Sequence, residues 1–171
     1  SNKILWNKGN MSISTNNRRL FIARHGETVF NKVARMQGQA ELHTPLTWGG
    51  CVQAREMGRA LAEYLGPDVR PQLWSSTAGR ALQTIALIAE EINSDWHTTN
   101  RDDRLLEIDV GLWSGRTYAD IAAEIGPIVD VEHKLFSVRP EGGEYYGDVA
   151  QRLLHWLREL PFDQDMLIIC H

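Results

Sequence analysis

The chain has few cysteines, no run of like charge and no long apolar stretch, and each shortage removes a class of protein. Cys51 and Cys170 are the two cysteines among 171 residues. Neither belongs to a CxxC pair or a Cys/His ligand pattern, which excludes a disulfide scaffold and a zinc ribbon. Two buried thiols fit a reducing, cytoplasmic setting. No apolar segment approaches the roughly 20 residues that a membrane-spanning helix needs. The N-terminus lacks the apolar core of a signal peptide. Basic runs are absent and the net charge is −4, so neither nucleic acid nor an acidic membrane is the expected partner.

What is present reads as one globular domain. A hydrophobic fraction of 43% and a charged fraction of 23% are ordinary for a soluble chain able to bury a core. Short apolar runs predict strands at Arg19–Ala23, Gln72–Ser75 and Met166–Cys170. Between them, Ala54, Met57, Leu61 and Leu65 share one helical face, with Thr47 as N-cap and Gly66-Pro67 as terminator. Ala81, Ile85, Ile88 and Ile92 form a second stripe, with Thr77 as its cap. A third carries Val149, Leu153, Trp156 and Leu160 and stops at Pro161, and a short helix is predicted over Tyr118–Glu124. Strands alternating with helices predict an α/β fold: a three-layer α/β/α sandwich with a mostly parallel central sheet. Residues 1–18 read as a disordered or expression-derived segment, with Met11 as a natural start, and 19–171 as the single domain. A parallel strand normally feeds a covering helix. None follows Met166–Cys170, so the domain is expected to lack its C-terminal part.

The chemistry-bearing residues gather at predicted strand ends. Arg24-His25-Gly26-Glu27-Thr28 follows the first strand. An imidazole nitrogen can attack phosphorus, and a guanidinium fork fits phosphate oxygens. A bare Arg-His pair is ordinarily a solvated turn, so the other strand ends decide its meaning. Asn31 lies about one helical turn after Glu27. Ser75-Ser76-Thr77-Ala78-Gly79-Arg80 ends the second strand and opens a helix, where anions are favoured. His171 ends the third. Glu107 is an acid among apolar neighbours, a setting that raises a carboxyl pKa and suits a proton donor. A strand-end salt bridge is the competing explanation for Glu107, and Asp102, Asp103 and Asp109 are alternative acids.

Taken in order, these segments resemble the histidine phosphatase superfamily in its phosphoglycerate-mutase-like branch, of the broad-specificity phosphatase type. The resemblance runs from Arg19 to His171. It also includes Met36-Gln37-Gly38, Pro45-Leu46-Thr47, Leu106-Glu107 with Gly111-Leu112-Trp113-Ser114-Gly115, Gly142-Gly143-Glu144 and Ile169-Cys170-His171. It implies a phosphomonoester hydrolase in which His25 becomes phosphorylated. Arg24 and Arg80 would keep His25 neutral and hold the phosphoryl group together with His171, and Glu107 would act as acid and then base. Asn31, Gln37 and Thr28 would contact phosphate or substrate. The family needs no metal or cofactor, and no dedicated ligand set stands out here. The implied partners are a small phosphorylated metabolite and inorganic phosphate as product, and a homodimer is compatible with such a chain. A 2,3-bisphosphoglycerate-dependent mutase is the alternative, but the stretch from Gly115 to Gly142 is short, and Gln37 replaces the small hydroxyl residue usual in mutases. Fructose-bisphosphate and ribazole phosphatases are similar in motif. A non-catalytic phospho-ligand binder is disfavoured because His25, Arg24, Arg80, Glu107 and His171 are all present.

Overall fold

The structure, a computed structural model, describes residues 3–6 and 11–171. Its elements in chain order are β1 (Lys3–Trp6), β2 (Met11–Ser14), β3 (Leu20–Arg24), α1 (Val29–Lys32), α2 (Trp48–Leu65), β4 (Gln72–Ser75), α3 (Gly79–Glu91), β5 (Asn100–Arg101), α4 (Tyr118–Ile125), α5 (Tyr146–Glu159) and β6 (Met166–Cys170). Single 3₁₀ turns lie at Trp96–Thr98, Asp103–Leu105 and Gly111–Trp113.

The residues of β6 explain the layering. Leu167 and Ile169 join one core cluster, Met166 and Ile168 another, and all four are buried. A strand apolar on both faces requires a parallel sheet with cover on both sides. β6 pairs in parallel with β3 and with β4, and β4 pairs with β5, giving the order β3-β6-β4-β5. On the Leu167 face lie Ala81, Ile85 and Ile88 of α3, backed by Met57 and Leu61 of α2. On the Met166 face lie Trp156 of α5 and Leu160 just beyond it. The three-layer α/β/α arrangement expected from the alternation is therefore the observed one. A third cluster, of Met36, Ile108, Val110, Trp113, Ile121 and Ile128, forms a lobe beside the strand ends.

Most predicted elements agree with the structure to within a residue or so. Thr47 caps α2 by accepting the Gly50 N–H at 3.0 Å, and Gly66 ends it at φ 78°. Two expectations are corrected. Thr77 does not cap α3: its hydroxyl donates to Asp103 Oδ1 at 2.6 Å, and Ala78 occupies the cap position with no side-chain hydrogen bond. The described part of residues 1–18 contains an antiparallel pair, β1 with β2, instead of disorder throughout. The alternation Met11-Ser12-Ile13-Ser14 suits a strand, and Ile13 packs against the α5-side core. Residues 1–2 and 7–10, also within that segment, lie outside the described residues.

Because β3, β4 and β6 are parallel, their C-terminal ends share one edge. Arg24 is in register with Cys170 and Ser75 with Ile169. The next residues, His25, His171 and Ser76, stand at the position where open α/β sheets bind ligands.

Candidate active site

His25 is buried, 5% exposed, and its backbone N–H continues the sheet ladder by donating to the Cys170 carbonyl at 3.1 Å. Its Nδ1 lies 2.7 Å from the Gly26 carbonyl. A carbonyl can only accept, so Nδ1 carries the ring proton and Nε2 keeps the lone pair. That Nε2 is buried without a hydrogen-bond partner. Gly26 is required beside it, because a Cβ there would overlap the Gly50 carbonyl at the start of α2. Burial, reinforced by Arg80 and Arg24, lowers the His25 pKa from 6.5 to about 4. Sequence reasoning gave this work to the arginines alone; burial is the larger cause.

His171 faces His25 edge-on, with ring centroids 5.0 Å apart. Its Nε2 is 2.8 Å from the hydroxyl of Ser76, a fully buried residue, and its Nδ1 is buried without a partner. Burial first, then the charges of Arg80, His25, Arg24 and Arg152, lower its pKa to about 2. Arg80 is fully buried on the first turn of α3. It donates to the Glu41 carbonyl at 2.8 Å and the Gly38 carbonyl at 3.3 Å, while its Nε has no partner. Burial brings its pKa down to about 10, so it remains a cation at neutral pH. Three buried polar atoms, on His25, His171 and Arg80, are thus unpartnered among the described residues. Such atoms carry a desolvation cost that an anion can offset.

Both imidazoles bind protons less readily in the folded chain than in the unfolded one. Below about pH 6.5 the unfolded chain takes up protons that the folded chain does not, so stability falls as the pH drops from 6.5 toward 4, and further for His171. The His25 shift alone corresponds to roughly 3 kcal/mol. The urea midpoint should therefore fall between pH 7 and pH 4.5, and fall less steeply in His25→Gln. An equal slope in both proteins would contradict the burial of a neutral imidazole.

Arg24, Asn31, Gln37 and Glu107 line a cavity of about 440 Å³. Arg24 and Asn31 also line a wider groove of about 1220 Å³ onto which His25 opens. Arg24 and Asn31 line both spaces, so the smaller cavity, which holds Glu107, adjoins the groove that holds His25. Glu107 is half-buried, and one carboxylate oxygen accepts the Ile108 N–H at 2.9 Å. Asn31 Oδ1 accepts from the Thr28 N–H and hydroxyl, each at 3.0 Å, leaving its amide NH₂ for the cavity. Thr28 is corrected from contact to scaffold. It is fully buried and caps α1, and its hydroxyl also lies 2.7 Å from Gln37 Oε1. Asp103 and Asp109 turn to other tasks, accepting from Thr77 and from the Gly111 N–H, and Asp102 pairs with Arg104. Among the described residues no group of three or more His, Cys, Asp or Glu is placed to hold a metal ion.

Sequence reasoning missed the clamp behind Glu107. Arg152 of α5 donates to the carbonyls of Arg104 at 2.7 Å and Glu107 at 3.0 Å, and forms an ion pair with Glu144 at 3.0 Å. Glu144 also accepts from the Asp109 N–H and from Gln39, whose amide donates in turn to the Glu107 carbonyl. The available signal was Arg152 itself, a cation three residues after Val149 on the apolar stripe of α5. Arg152→Met should destabilise the fold by about 2 kcal/mol, because it strands a half-buried carboxylate and two carbonyls. Chemical denaturation measures this, and an unchanged midpoint would show the clamp to be idle.

The sequence pattern of the histidine phosphatase superfamily (branch 1) matches residues 20–171. The chain belongs to the histidine phosphatase superfamily. A Caenorhabditis elegans 6-phosphofructo-2-kinase/fructose-2,6-bisphosphatase is 30% identical over 94% of the chain, which spans only 33% of that relative's length. A glucosyl-3-phosphoglycerate phosphatase of Mycolicibacterium vanbaalenii is 34% identical over 86% of the chain and 61% of its own length. Among solved structures, a mycobacterial glucosyl-3-phosphoglycerate phosphatase superimposes with a TM-score of 0.69 at 32% identity, covering 90% of this chain and 74% of its own. The alpha-ribazole phosphatase of Shigella flexneri gives 0.68 at 28%, covering 90% and 73%. No helix among the described residues is long and apolar enough to cross a membrane.

Proposed function

We propose that the protein hydrolyses small phosphomonoesters through a phosphohistidine on His25 Nε2. The observation that carries this reading is the Nε2 lone pair, freed by the Nδ1–Gly26 hydrogen bond and left buried without a partner. In the first step Nε2 attacks phosphorus, the ester P–O bond breaks, and the Glu107 carboxylic acid gives its proton to the departing alcohol. In the second, water attacks the phosphohistidine, the Glu107 carboxylate takes the water proton, and inorganic phosphate leaves with His25 restored. Arg24 and Arg80 oppose the negative charge of the transferring group. His171 acts as a neutral donor. If the Ser76 hydroxyl donates to its Nε2, Nδ1 bears the proton and meets a phosphoryl oxygen. The amides of Asn31 and Gln37 complete the cradle, and Arg152 and Glu144 position the backbone of Glu107.

Similarity to phosphatases of sugar-derived phosphates supports the substrate class, a small phosphorylated metabolite. A related mycobacterial phosphatase, 28% identical, has been solved with inorganic phosphate. The free thiols of Cys51 and Cys170 support a cytoplasmic setting. Release of inorganic phosphate from nitrophenyl phosphate by the purified chain is the direct assay. A folded protein that releases none would contradict the proposal.

A further inference from the structure

The 440 Å³ cavity has a second end that phosphate chemistry does not explain. Tyr118 opens α4, Phe136 lies in the segment between α4 and α5, and Tyr146 opens α5. These three separate pieces of chain set their rings side by side along one wall of the cavity. Tyr118 and Phe136 have centroids 6.3 Å apart, Phe136 and Tyr146 6.4 Å, and both pairs are inclined by 27°. Trp113 supports Phe136 edge-on at 5.7 Å. The wall is held from behind as well, since the Phe136 N–H donates to the Tyr146 hydroxyl at 3.0 Å. Yet Tyr118 is 42% exposed and Tyr146 40%, so core packing does not account for their ring surfaces. The rest of the lining near them is largely apolar, with Met36, Ile108, Val110 and Val129, the last bridged in antiparallel fashion to Phe136.

We infer that this end of the cavity receives the alcohol half of the substrate, and that this alcohol carries an apolar, preferably aromatic, ring. The inference rests on the phosphomonoesterase reading, which puts phosphate at Arg24 and His25 and requires the leaving oxygen to come within reach of Glu107. A polyhydroxylated alcohol fits the ring end poorly. Each hydroxyl withdrawn from water needs a partner. Beyond the phosphate end the polar side chains are few: the Tyr118 hydroxyl, the Tyr146 hydroxyl, which accepts from the Phe136 N–H, and Arg35, which donates to the Gly115 carbonyl at 2.6 Å. Lys134 stands exposed at the rim. A flat ring gains from the aromatic wall without that cost, by area and by ring–ring contact. The volume lies within the usual range for a small-molecule site.

The test compares 2-phenylethyl phosphate, ethyl phosphate and glucose 6-phosphate, whose leaving alcohols are all poor ones. Affinity is read by calorimetry and turnover as kcat/KM, in the natural sequence, Phe136→Leu and Tyr118→Leu. The phenylethyl ester should lead both others by about tenfold in affinity and in kcat/KM, the worth of one good ring contact plus the buried ring area. Each variant should reduce that lead toward parity, and Tyr118→Leu serves if Phe136→Leu fails to fold. Hydrolysis of all three esters with equal kcat/KM would overturn the inference and leave the phosphatase reading standing. A tenfold binding preference without any hydrolysis would support the inference and overturn the phosphatase reading. A hexose phosphate bound as tightly as the phenylethyl ester would also overturn the inference.

Discussion

Replacing His25 with glutamine is expected to lower turnover by on the order of 10⁴-fold or more while the protein stays folded. The side chain of glutamine approximates the reach of the imidazole, but an amide nitrogen has no lone pair free to attack phosphorus. His25 lies past the end of β3, and the apolar clusters that hold the sheet do not include it. At pH 7 the imidazole is largely neutral in the folded and the unfolded chain alike, so its lowered pKa contributes little to stability there. The variant should therefore unfold at a denaturant concentration close to that of the natural sequence at pH 7. Loss of activity together with loss of structure would make this a packing residue. Retained activity in a folded variant would exclude a phosphoryl group on His25.

Glu107→Gln should lower kcat/KM by roughly a hundredfold or more for an alkyl phosphate, within the usual contribution of a positioned acid. The loss should be much smaller for nitrophenyl phosphate, because nitrophenolate departs without a proton. The ratio kcat/KM reports only steps up to departure of the alcohol, so slow hydrolysis of the phosphohistidine does not obscure the comparison. Arg152→Lys should show the same dependence on leaving group in weaker form, since a lysine cannot span the carbonyls of Arg104 and Glu107 and the Glu144 carboxylate together. Equal losses for both esters would remove Glu107 from the role of proton donor.

The frame of the molecule was legible because its signals are local. Met166–Cys170 and Gln72–Ser75 are apolar runs too short for helices, and both are strands with the expected bounds. Thr47 and Gly66 mark the ends of α2 through the hydrogen bonds and φ value that their residue types favour. Parallel strands then bring His25, Ser76 and His171 to one edge without further information. The failures have a common cause in tertiary competition. Thr77 has the chemistry of a cap, but Asp103 takes its hydroxyl. Thr28 sits within the Arg-His-Gly motif, but Asn31 and Gln37 absorb it. α1, at four residues, is too short to show a period. The Arg152–Glu144 clamp and the wall of Tyr118, Phe136 and Tyr146 join residues from separate segments, and no spacing along the chain announces them. Depth was also invisible: the sequence offered arginines to explain a neutral His25, and the fold adds burial as the stronger cause.

The most direct test is to trap the intermediate. The protein is mixed with a phosphomonoester carrying labelled phosphorus, quenched in alkali within a turnover, digested, and its labelled peptide sequenced. The account predicts label that survives alkali, is lost in acid, and resides on the peptide containing His25, with none in His25→Gln. Turnover without protein-bound label, or label on a peptide lacking His25, would contradict it.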